Sequence, residues 1–489
     1  MITAVVMLLS AVFTRSLERV STMDPAMAQS VYDSRAVQLV YEPPLCVDYC
    51  ARPYRLAECF CELPQVSSNG LRYTFQTRKG EAADMVRSLE RLRDPALVSP
   101  NAWIMKDVDR VSAIDRRTVE ITLKRRAHYF PWLMAMAPAA VVLPNGEGTG
   151  DFRLAHWRRN HEMRFVRRNP SALNGGFSEV RYLVVDDMST QWLMFLKGEI
   201  DLLGEISRDN WDSVVGVGGR LDPSLTAAGV KMLSMPTLEV IYLGVNMRDP
   251  VLGRNRKLRQ ALNAAFDFPA WERFFNQRIL RCDGPVPHGV EGRLDGDFAY
   301  SYNLEKARRL MAEAGYPGGI DSRTSRRLVL TLSIGRATQE SREAGELTAS
   351  FFEKIGVKLE LQFMTWDAFL RAVSEGRTQL FRMGWVGDYP DAQNFLQLFH
   401  SCNVSPGPNR SSYVNAEFDR EYDAALAAES VEVRNEHWRR CQEIVREDCP
   451  WVFMHYNMAH SLVRARVGNY IPSDFPYGQE RFYRVEESK

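Results

Sequence analysis

The segment FRMGWVGDYPDAQNFLQLF, Phe381 to Phe399, has an unusual composition. It is too apolar for an ordinary surface loop, and Gly, Pro and Asp interrupt it too often for an ordinary core element. The residues just before it, Thr378 to Met383, read as a strand. We therefore predict that the motif lies just past the carboxyl end of a strand, where ligands bind in open α/β sheets.

The residue types in this segment suit a ligand that carries both charges. Trp385 can enclose an apolar group, and Gly384 lets a ligand approach bare backbone. Asp388 can accept hydrogen bonds from an ammonium group, while Arg382, on the same side of the strand as Gly384, offers a fork for a carboxylate. A peptide is the obvious zwitterionic candidate. The alternative, equally open from these residues, is that Asp388 caps a helix through residues 391–396 and Arg382 pairs internally.

Alternating strand and helix patterns on both sides of this segment indicate an α/β protein. One run predicts a strand at 183–185, a helix capped by Asp187 or Ser189 and ended by Gly198, and a strand from Ile200. A second predicts strands at 328–334 and 357–363, with helices at 339–355 and 366–374. Asn303 is predicted to cap a further helix that Gly315 ends.

The composition is that of a soluble globular protein. The 489 residues are 45% hydrophobic and 25% charged, with a formal net charge of +1. Without a basic excess we expect no nucleic-acid partner. The segment MITAVVMLLSAVFT, residues 1–14, fits either the apolar core of a signal peptide or a buried first strand, and both stay open.

Four of the eight cysteines crowd into the spacing C-x3-C-x8-C-x-C at Cys46, Cys50, Cys59 and Cys61. Paired CxxC knuckles are absent, so buried thiols or disulfides are favoured over a metal site. No P-loop, HExxH, G-x-S-x-G or dinucleotide fingerprint occurs. His455 is expected to be a core or hinge-strand residue rather than a base. We expect no catalytic residues, no cofactor and no metal.

Several motifs together carry a family resemblance. GWVGDYPDAQNFLQLF resembles the characteristic segment of the family 5 extracellular solute-binding proteins, the oligopeptide, dipeptide and nickel receptors of ABC importers. STMDPAMAQS, GEGTGDFRLAHW, IYLGVNMRDP, RKLRQALNAAFD, GPVPHG and NLEKARRLMAEAGYPGG follow in the order of that family. Two segments depart from it: the further stretch that the family has between TRKG and EAADM is missing, and the approach to GEGTG is shorter. Asp151 stands where the family has Pro.

The resemblance implies a type II periplasmic-binding-protein fold, with two lobes, a hinge and an inserted third domain. It would place lobe I at 1–31, 140–247 and 459–489, the inserted domain at 32–139 and lobe II at 248–458.

The resemblance also implies the roles of the site residues. Asp388 would hold the α-ammonium of a peptide, Arg382 its carboxylate, and the backbone of Gly384 and Val386 its main chain. Trp385 and Asn246 complete the predicted ligand-binding set.

The implied function is capture of di- or oligopeptides and their delivery to ABC permease subunits. The protein would be a monomer in the periplasm or at the outer face of the cytoplasmic membrane. Alternatives are a receptor for another solute (nickel chelate, haem or sugar) or a ligand-sensing regulatory protein.

Overall fold

The computed structural model describes residues 11–169, 175–216, 220–405 and 407–486. The chain divides into two compact units: unit 1 comprises Met1–Met235 and Ala459–Lys489, and unit 2 comprises Pro236–Met458. Two long strands run through both units, β12 (Val230–Val245) and β17 (Trp451–Arg464). The first boundary between the units follows Met235, whereas the predicted boundary between lobe I and lobe II follows residue 247. The division into lobes and an inserted domain remains a prediction.

Unit 1 is a mixed α/β structure. Its strands are β1 Val12–Leu17, β2 Leu45–Val47, β3 Leu56–Glu58, β4 Gln65–Val66, β5 Arg72–Gln76, β6 Val108–Ala113, β7 Thr118–Leu123, β8 Phe152–Arg158, β9 Glu162–Arg167, β10 Glu179–Val184, β11 Leu202–Leu203, β18 Val467–Gly468 and β19 Arg484–Val485. Its helices are α1 Val31–Val40, α2 Ala82–Glu90, α3 Phe130–Leu133, α4 Met188–Lys197, α5 Arg208–Val214 and α6 Pro223–Ala227.

The main sheet of unit 1 has the strand order β17-β11-β1-β10-β9-β8, with β1 parallel to both β10 and β11. Phe13, Val180 and Tyr182 are fully buried in its core. A separate antiparallel sheet, β4-β5-β7-β6, lies within the stretch predicted to be the inserted domain.

Unit 2 is also α/β. Its remaining strands are β13 Ile279–Arg281, β14 Val329–Ile334, β15 Lys358–Phe363 and β16 Leu380–Val386. Its helices are α7 Arg256–Ala265, α8 Phe268–Phe274, α9 Leu304–Glu313, α10 Gln339–Glu353, α11 Trp366–Ser374, α12 Ala392–Leu396, α13 Ala416–Ala427 and α14 Val431–Asp448. Parallel strands β15, β14 and β16 stand side by side, and β12 joins β16 antiparallel.

The helices predicted from local signals are confirmed. The side chain of Asp187 caps α4 by accepting from Thr190 N, and Gly198 ends that helix at a φ of 78°. Asn303 caps α9 in the same way, and α11 has the predicted bounds. These elements were predictable because caps and apolar periodicity lie within the segment itself.

The predicted first strand and the cysteines have different outcomes. Residues 1–10 lie outside the described residues, so the choice between signal peptide and strand stays open there, while Val12 onward forms β1. Cys46 and Cys59 form a disulfide, with Cα atoms 5.3 Å apart. Free thiols are buried at Cys61, Cys282, Cys441 and Cys449 and exposed at Cys50 and Cys402. None of the described helices combines the length and hydropathy of a membrane-spanning segment.

Candidate functional site

The strand that leads into the GWVGD motif extends further than the sequence predicted. The strand β16 ends at Val386, so Gly384, Trp385 and Val386 lie within it rather than past its end, and that prediction was wrong. The reason is non-local: β12 continues as an antiparallel partner as far as Glu239, which pairs with Val386. A long partner strand keeps the ladder going through the glycine.

The pairing pattern shows which way the backbone of β16 faces. Gly387 N donates to Leu238 O at 2.8 Å, which makes Leu238 and Gly387 a hydrogen-bonded pair with β12. Hydrogen-bonded pairs alternate along an antiparallel ladder, so the backbone groups of Gly384 and Val386 point to the opposite edge. On that edge the pairing with β14 ends at Arg382. Gly384 and Val386 therefore face an edge beyond the last paired residue of β14.

Asn394 holds the corner that follows the strand. Its Oδ1 accepts from Trp385 Nε1 at 3.0 Å and from Asp388 N at 3.1 Å, and its Nδ2 donates to Asp388 Oδ2 at 3.3 Å. Asn394 is only 1% exposed, so this amide is a fixed part of the core. Sequence analysis gave Asn394 no role, because only the fold brings this helical residue against the turn.

Asp391, not Asp388, caps the helix that follows. The side chain of Asp391 accepts from Gln393 N at 2.9 Å, and α12 starts at Ala392. The alternative that Asp388 is the cap was therefore wrong. At position 388 the carboxylate instead accepts a hydrogen bond from Asn394 Nδ2 at 3.3 Å.

Asp388 is exposed to solvent, but protein atoms around its carboxyl group displace part of the water that would solvate it. Desolvation raises the pKa of Asp388, and the hydrogen bond from Asn394 opposes that rise. Within the described ranges, no cation lies within 4.0 Å of this carboxylate. It is an accessible anion without an ion-pair partner.

A cavity of about 610 Å³ lies at the carboxyl end of β14 in unit 2. Its wall comes from β12, β14, β16, β17 and the starts of α10 and α11, with Arg382, Gly384, Glu239, Glu340 and His455 among its lining residues. This is the usual ligand position for parallel strands. Of the six predicted ligand residues, Arg382 and Gly384 line this cavity.

Arg382 brings a positive charge to the cavity. Its guanidinium carbon lies 5.6 Å from the centre of the Trp271 ring. Burial lowers the pKa of Arg382, Glu340 opposes that effect, and Arg336 adds to it. No carboxylate of the described residues lies within 4.0 Å of Arg382, so the alternative of an internal ion pair is not found there.

His455 forms the wall beside Arg382. It is 2% exposed and its Nδ1 accepts from Trp271 Nε1 at 3.1 Å. Burial and the nearby charge of Arg382 lower the pKa of His455 to about 3. The imidazole is therefore neutral at ordinary pH, in keeping with a core residue of strand β17.

Glu239 also lines this cavity, and the sequence analysis gave it no role. Its Oε2 accepts from Asn457 Nδ2 at 2.5 Å, and burial raises the pKa of its carboxyl. A Cβ at Gly384 would lie 2.6 Å from Ile241 Cδ1 and 3.3 Å from Glu239 Oε1. The missing side chain at Gly384 thus makes room for these two residues of β12.

The other predicted ligand residues lie elsewhere. Val386 is 61% exposed at the end of β16, and Trp385 is tied to Asn394. Asn246 is 7% exposed, and its Nδ2 donates to Gly376 O at 3.0 Å and Thr378 O at 2.9 Å. Both amide hydrogens of Asn246 thus already have protein acceptors. Three His, Cys, Asp or Glu side chains grouped to hold a metal ion do not occur among the described residues.

The comparisons with known proteins agree with this picture. The chain is 26% identical over 473 residues to heme-binding protein A of Haemophilus influenzae, covering 86% of this chain and 82% of the relative. It is 23% identical to the dipeptide-binding protein of Escherichia coli, covering 86% and 84%. The structure of HbpA2 from Haemophilus parasuis superimposes with a TM-score of 0.85 at 21% identity, over 98% of this chain and all of that one.

The fold is that of the type II periplasmic binding proteins. The model of the bacterial extracellular solute-binding proteins, family 5 Middle, matches residues 22–407. The chain belongs to this family, which confirms the resemblance carried by the GWVGD motif.

Proposed function

We propose that this protein is the substrate-binding component of an ABC importer, that it binds di- or oligopeptides, and that it hands them to permease subunits. The family supports solute binding, and the dipeptide-binding relative supports a peptide. We place the protein in the periplasm or at the outer face of the cytoplasmic membrane, in line with the extracellular family. The ligand leaves unchanged, because the role is binding and release between conformations.

The observation that carries the proposal is the edge of β16. The backbone groups of Gly384 and Val386 point to the side where pairing with β14 has ended. Two residues of a strand span about 7 Å, the repeat of an extended peptide. A peptide can therefore hydrogen bond to this edge as an added strand, which recognises main chain without regard to side chains.

Two charges flank this edge. Asp388 is proposed to hold the α-ammonium of the peptide, because its carboxylate is accessible and has no cation beside it among the described residues. Arg382 is proposed to hold a carboxylate in its cavity. Trp385, fixed by Asn394, would contact an apolar part of the ligand. Asn246 remains a predicted ligand residue.

The test compares peptides that differ only at the amino terminus. Calorimetry would measure the affinities of a free-amine peptide and of its N-acetylated form for the wild type and for Asp388→Ala. Asp297→Ala is the matched control, because the side chain of Asp297 is fully exposed. A charged hydrogen bond contributes about 1.5–3 kcal/mol, so Asp388→Ala should weaken the free-amine peptide roughly 10- to 150-fold. The acetylated peptide should lose little. Equal losses for both peptides would remove the ammonium role of Asp388.

A parallel comparison addresses the other end of the peptide and the fate of the ligand. Arg382→Ala should weaken peptides with a free carboxylate more than their amidated forms, and equal effects would contradict its role. Native mass spectrometry of the purified protein would identify a ligand that co-purifies. A co-purified haem or sugar, or new products after incubation with a peptide mixture, would count against peptide capture.

A further inference from the structure

Unit 1 contains a larger cavity that none of the predicted site residues lines. Its volume is about 850 Å³, within the range of small-molecule sites. The wall is built from the region of the Cys46–Cys59 disulfide and from the chain between Asn469 and Arg484. All of these residues belong to unit 1, so the cavity is separate from the one that contains Arg382.

The charges around this cavity do not cancel locally. Three of its five cationic lining residues have a carboxylate partner: Lys79 with Glu42 at 2.8 Å, Arg78 with Glu58 at 3.1 Å and Arg167 with Asp151 at 3.5 Å. The fourth lining carboxylate, Asp48, accepts from the backbone of Cys50 and Ala51. Arg481 and Arg484 have no carboxylate within 4.0 Å in the part of the chain that the structure describes.

Arg481 is held in place by contacts that leave its charge intact. Its guanidinium carbon lies 4.9 Å from the centre of the Phe482 ring, and that ring stacks on Tyr49 at 4.8 Å. Its Nη1 donates to Gln38 O at a long 3.4 Å, while its buried Nε has no hydrogen-bond acceptor. The neighbouring carboxylate of Glu480 is bonded to Arg15 instead, at 3.1 Å. The guanidinium is thus positioned without an ion pair within 4.0 Å among the described residues, and Glu42, Asp151 and Glu480 stabilise its charge only from longer range.

The rest of the wall is partly apolar. Val47 is buried, Phe482 lies under the Arg481 guanidinium, and Ile471 is partly exposed at the cavity. A guanidinium favours the planar fork of a carboxylate, and apolar surface beside it favours a hydrophobic body on the same molecule.

We propose that this cavity is a second ligand site, which binds a small organic carboxylate with an apolar body through Arg481, assisted by Arg484. The site lies outside the proposed peptide site and does not depend on it. Burial lowers the pKa of Arg481, and an anionic ligand would compensate for that desolvation.

The experiment uses 3-phenylpropanoate as the probe, with its neutral amide and inorganic phosphate for comparison. Binding to the full chain would be followed by calorimetry and by protection of Cys50 from alkylation. Cys50 is an exposed free thiol in the cavity wall, and Cys402, the other exposed free thiol, is the internal control. We expect 3-phenylpropanoate to protect Cys50 but not Cys402, and the amide and phosphate to bind at least tenfold more weakly.

The variants locate the site. Arg481→Gln should weaken 3-phenylpropanoate at least tenfold, while Arg153→Gln, an exposed arginine of β8 outside the cavity, should leave it unchanged. Should Arg481→Gln fail to fold, Ala57→Phe decides, because it fills the cavity from its partly exposed position on β3 and should abolish binding.

The proposal is wrong if the probe does not bind, if its amide binds equally well, or if folded Arg481→Gln leaves binding intact. Where Arg481→Gln does not fold, intact binding in Ala57→Phe overturns the proposal. Phosphate binding as tight as that of the probe would overturn the assignment to an apolar carboxylate. Loss of binding in Arg382→Gln would place the probe in the peptide site instead. That last variant separates failure of this proposal from failure of the peptide site.

Discussion

The corner that presents Asp388 should depend on Asn394. Replacing Asn394 with Leu, which has the same number and branching of side-chain heavy atoms, removes three hydrogen bonds: two to Asp388 and one to Trp385. Each is worth about 1 kcal/mol net, so the local cost should be about 3 kcal/mol, and Trp385 Nε1 and Asp388 N lose their acceptor in a part-buried place. The carboxyl of Asp388 also loses the one contact that lowers its pKa, so that pKa should rise further.

The assay must be local, because a chain of two units need not unfold in one step. Hydrogen exchange of the Asp388 amide reports this corner directly. Losing a bond of about 1 kcal/mol should speed its exchange about fivefold. A carbon-detected NMR titration of the Asp388 carboxyl would measure the expected upward shift of its pKa.

A second variant separates the two functions of Asn394. Asn394→Asp keeps an acceptor for Trp385 Nε1 and for the amide of Asp388, so exchange at that amide should change little. It places a second carboxylate beside Asp388, so the pKa of the pair should rise by mutual repulsion. If Asn394→Leu leaves both the exchange rate and the pKa at 388 unaltered, the reasoning that Asn394 holds this corner is refuted.

Three further predictions concern His455 and Gly384 in unit 2 and Asp201 in unit 1. The pKa of His455 is about 3 in the folded protein and 6.5 in the unfolded chain, so only the unfolded chain takes up a proton as the pH falls below 6.5. The free energy of unfolding of the wild type should therefore fall by about 1.4 kcal/mol per pH unit in that range. Denaturation of His455→Gln at several pH values should lack this pH dependence. Gly384→Ala should cost about 1–2 kcal/mol by crowding Ile241 Cδ1, and adding Ile241→Val should restore stability in a double-mutant cycle; additivity would contradict this contact. Asp201 is 3% exposed and bonded to Arg466 at 2.6 Å, and Arg466 is 40% exposed, so water can solvate the charge that a substitution leaves behind. Asp201→Asn should therefore destabilise unit 1 by about 1.5 kcal/mol in urea unfolding, the value of a hydrogen bond to a charged group, and a change below about 0.5 kcal/mol would contradict that role.

Local sequence signals predicted local structure well. The caps at Asp187 and Asn303 and the stop at Gly198 specify their helices without reference to the rest of the chain. The end of β16 could not be predicted in this way, because it depends on how far the distant strand β12 extends. A strand ends where its partners end, and a single segment does not contain that information.

For the candidate site, too, the sequence predicted residue types but not the contacts between distant segments. The residue types at Asp388 and Arg382 suggested charges for a ligand, and only the structure shows that neither has an ion-pair partner among the described residues. The roles of Asn394 and Glu239 arise from contacts between segments far apart in sequence or across a turn. The Cys46–Cys59 pairing could not be chosen either, since eight cysteines allow 105 full pairings.

The two proposed sites use the same means to keep a guanidinium available. Arg382 lies 5.6 Å from the ring centre of Trp271, and Arg481 lies 4.9 Å from that of Phe482. A ring face attracts the cation and offsets part of its desolvation, but unlike a carboxylate it carries no charge that a ligand must displace. The neutral imidazole of His455 beside Arg382 avoids adding a second positive charge. Replacing either ring with Leu should therefore weaken carboxylate binding by misplacing the guanidinium, whereas introducing Glu there should weaken it more, by neutralising the charge.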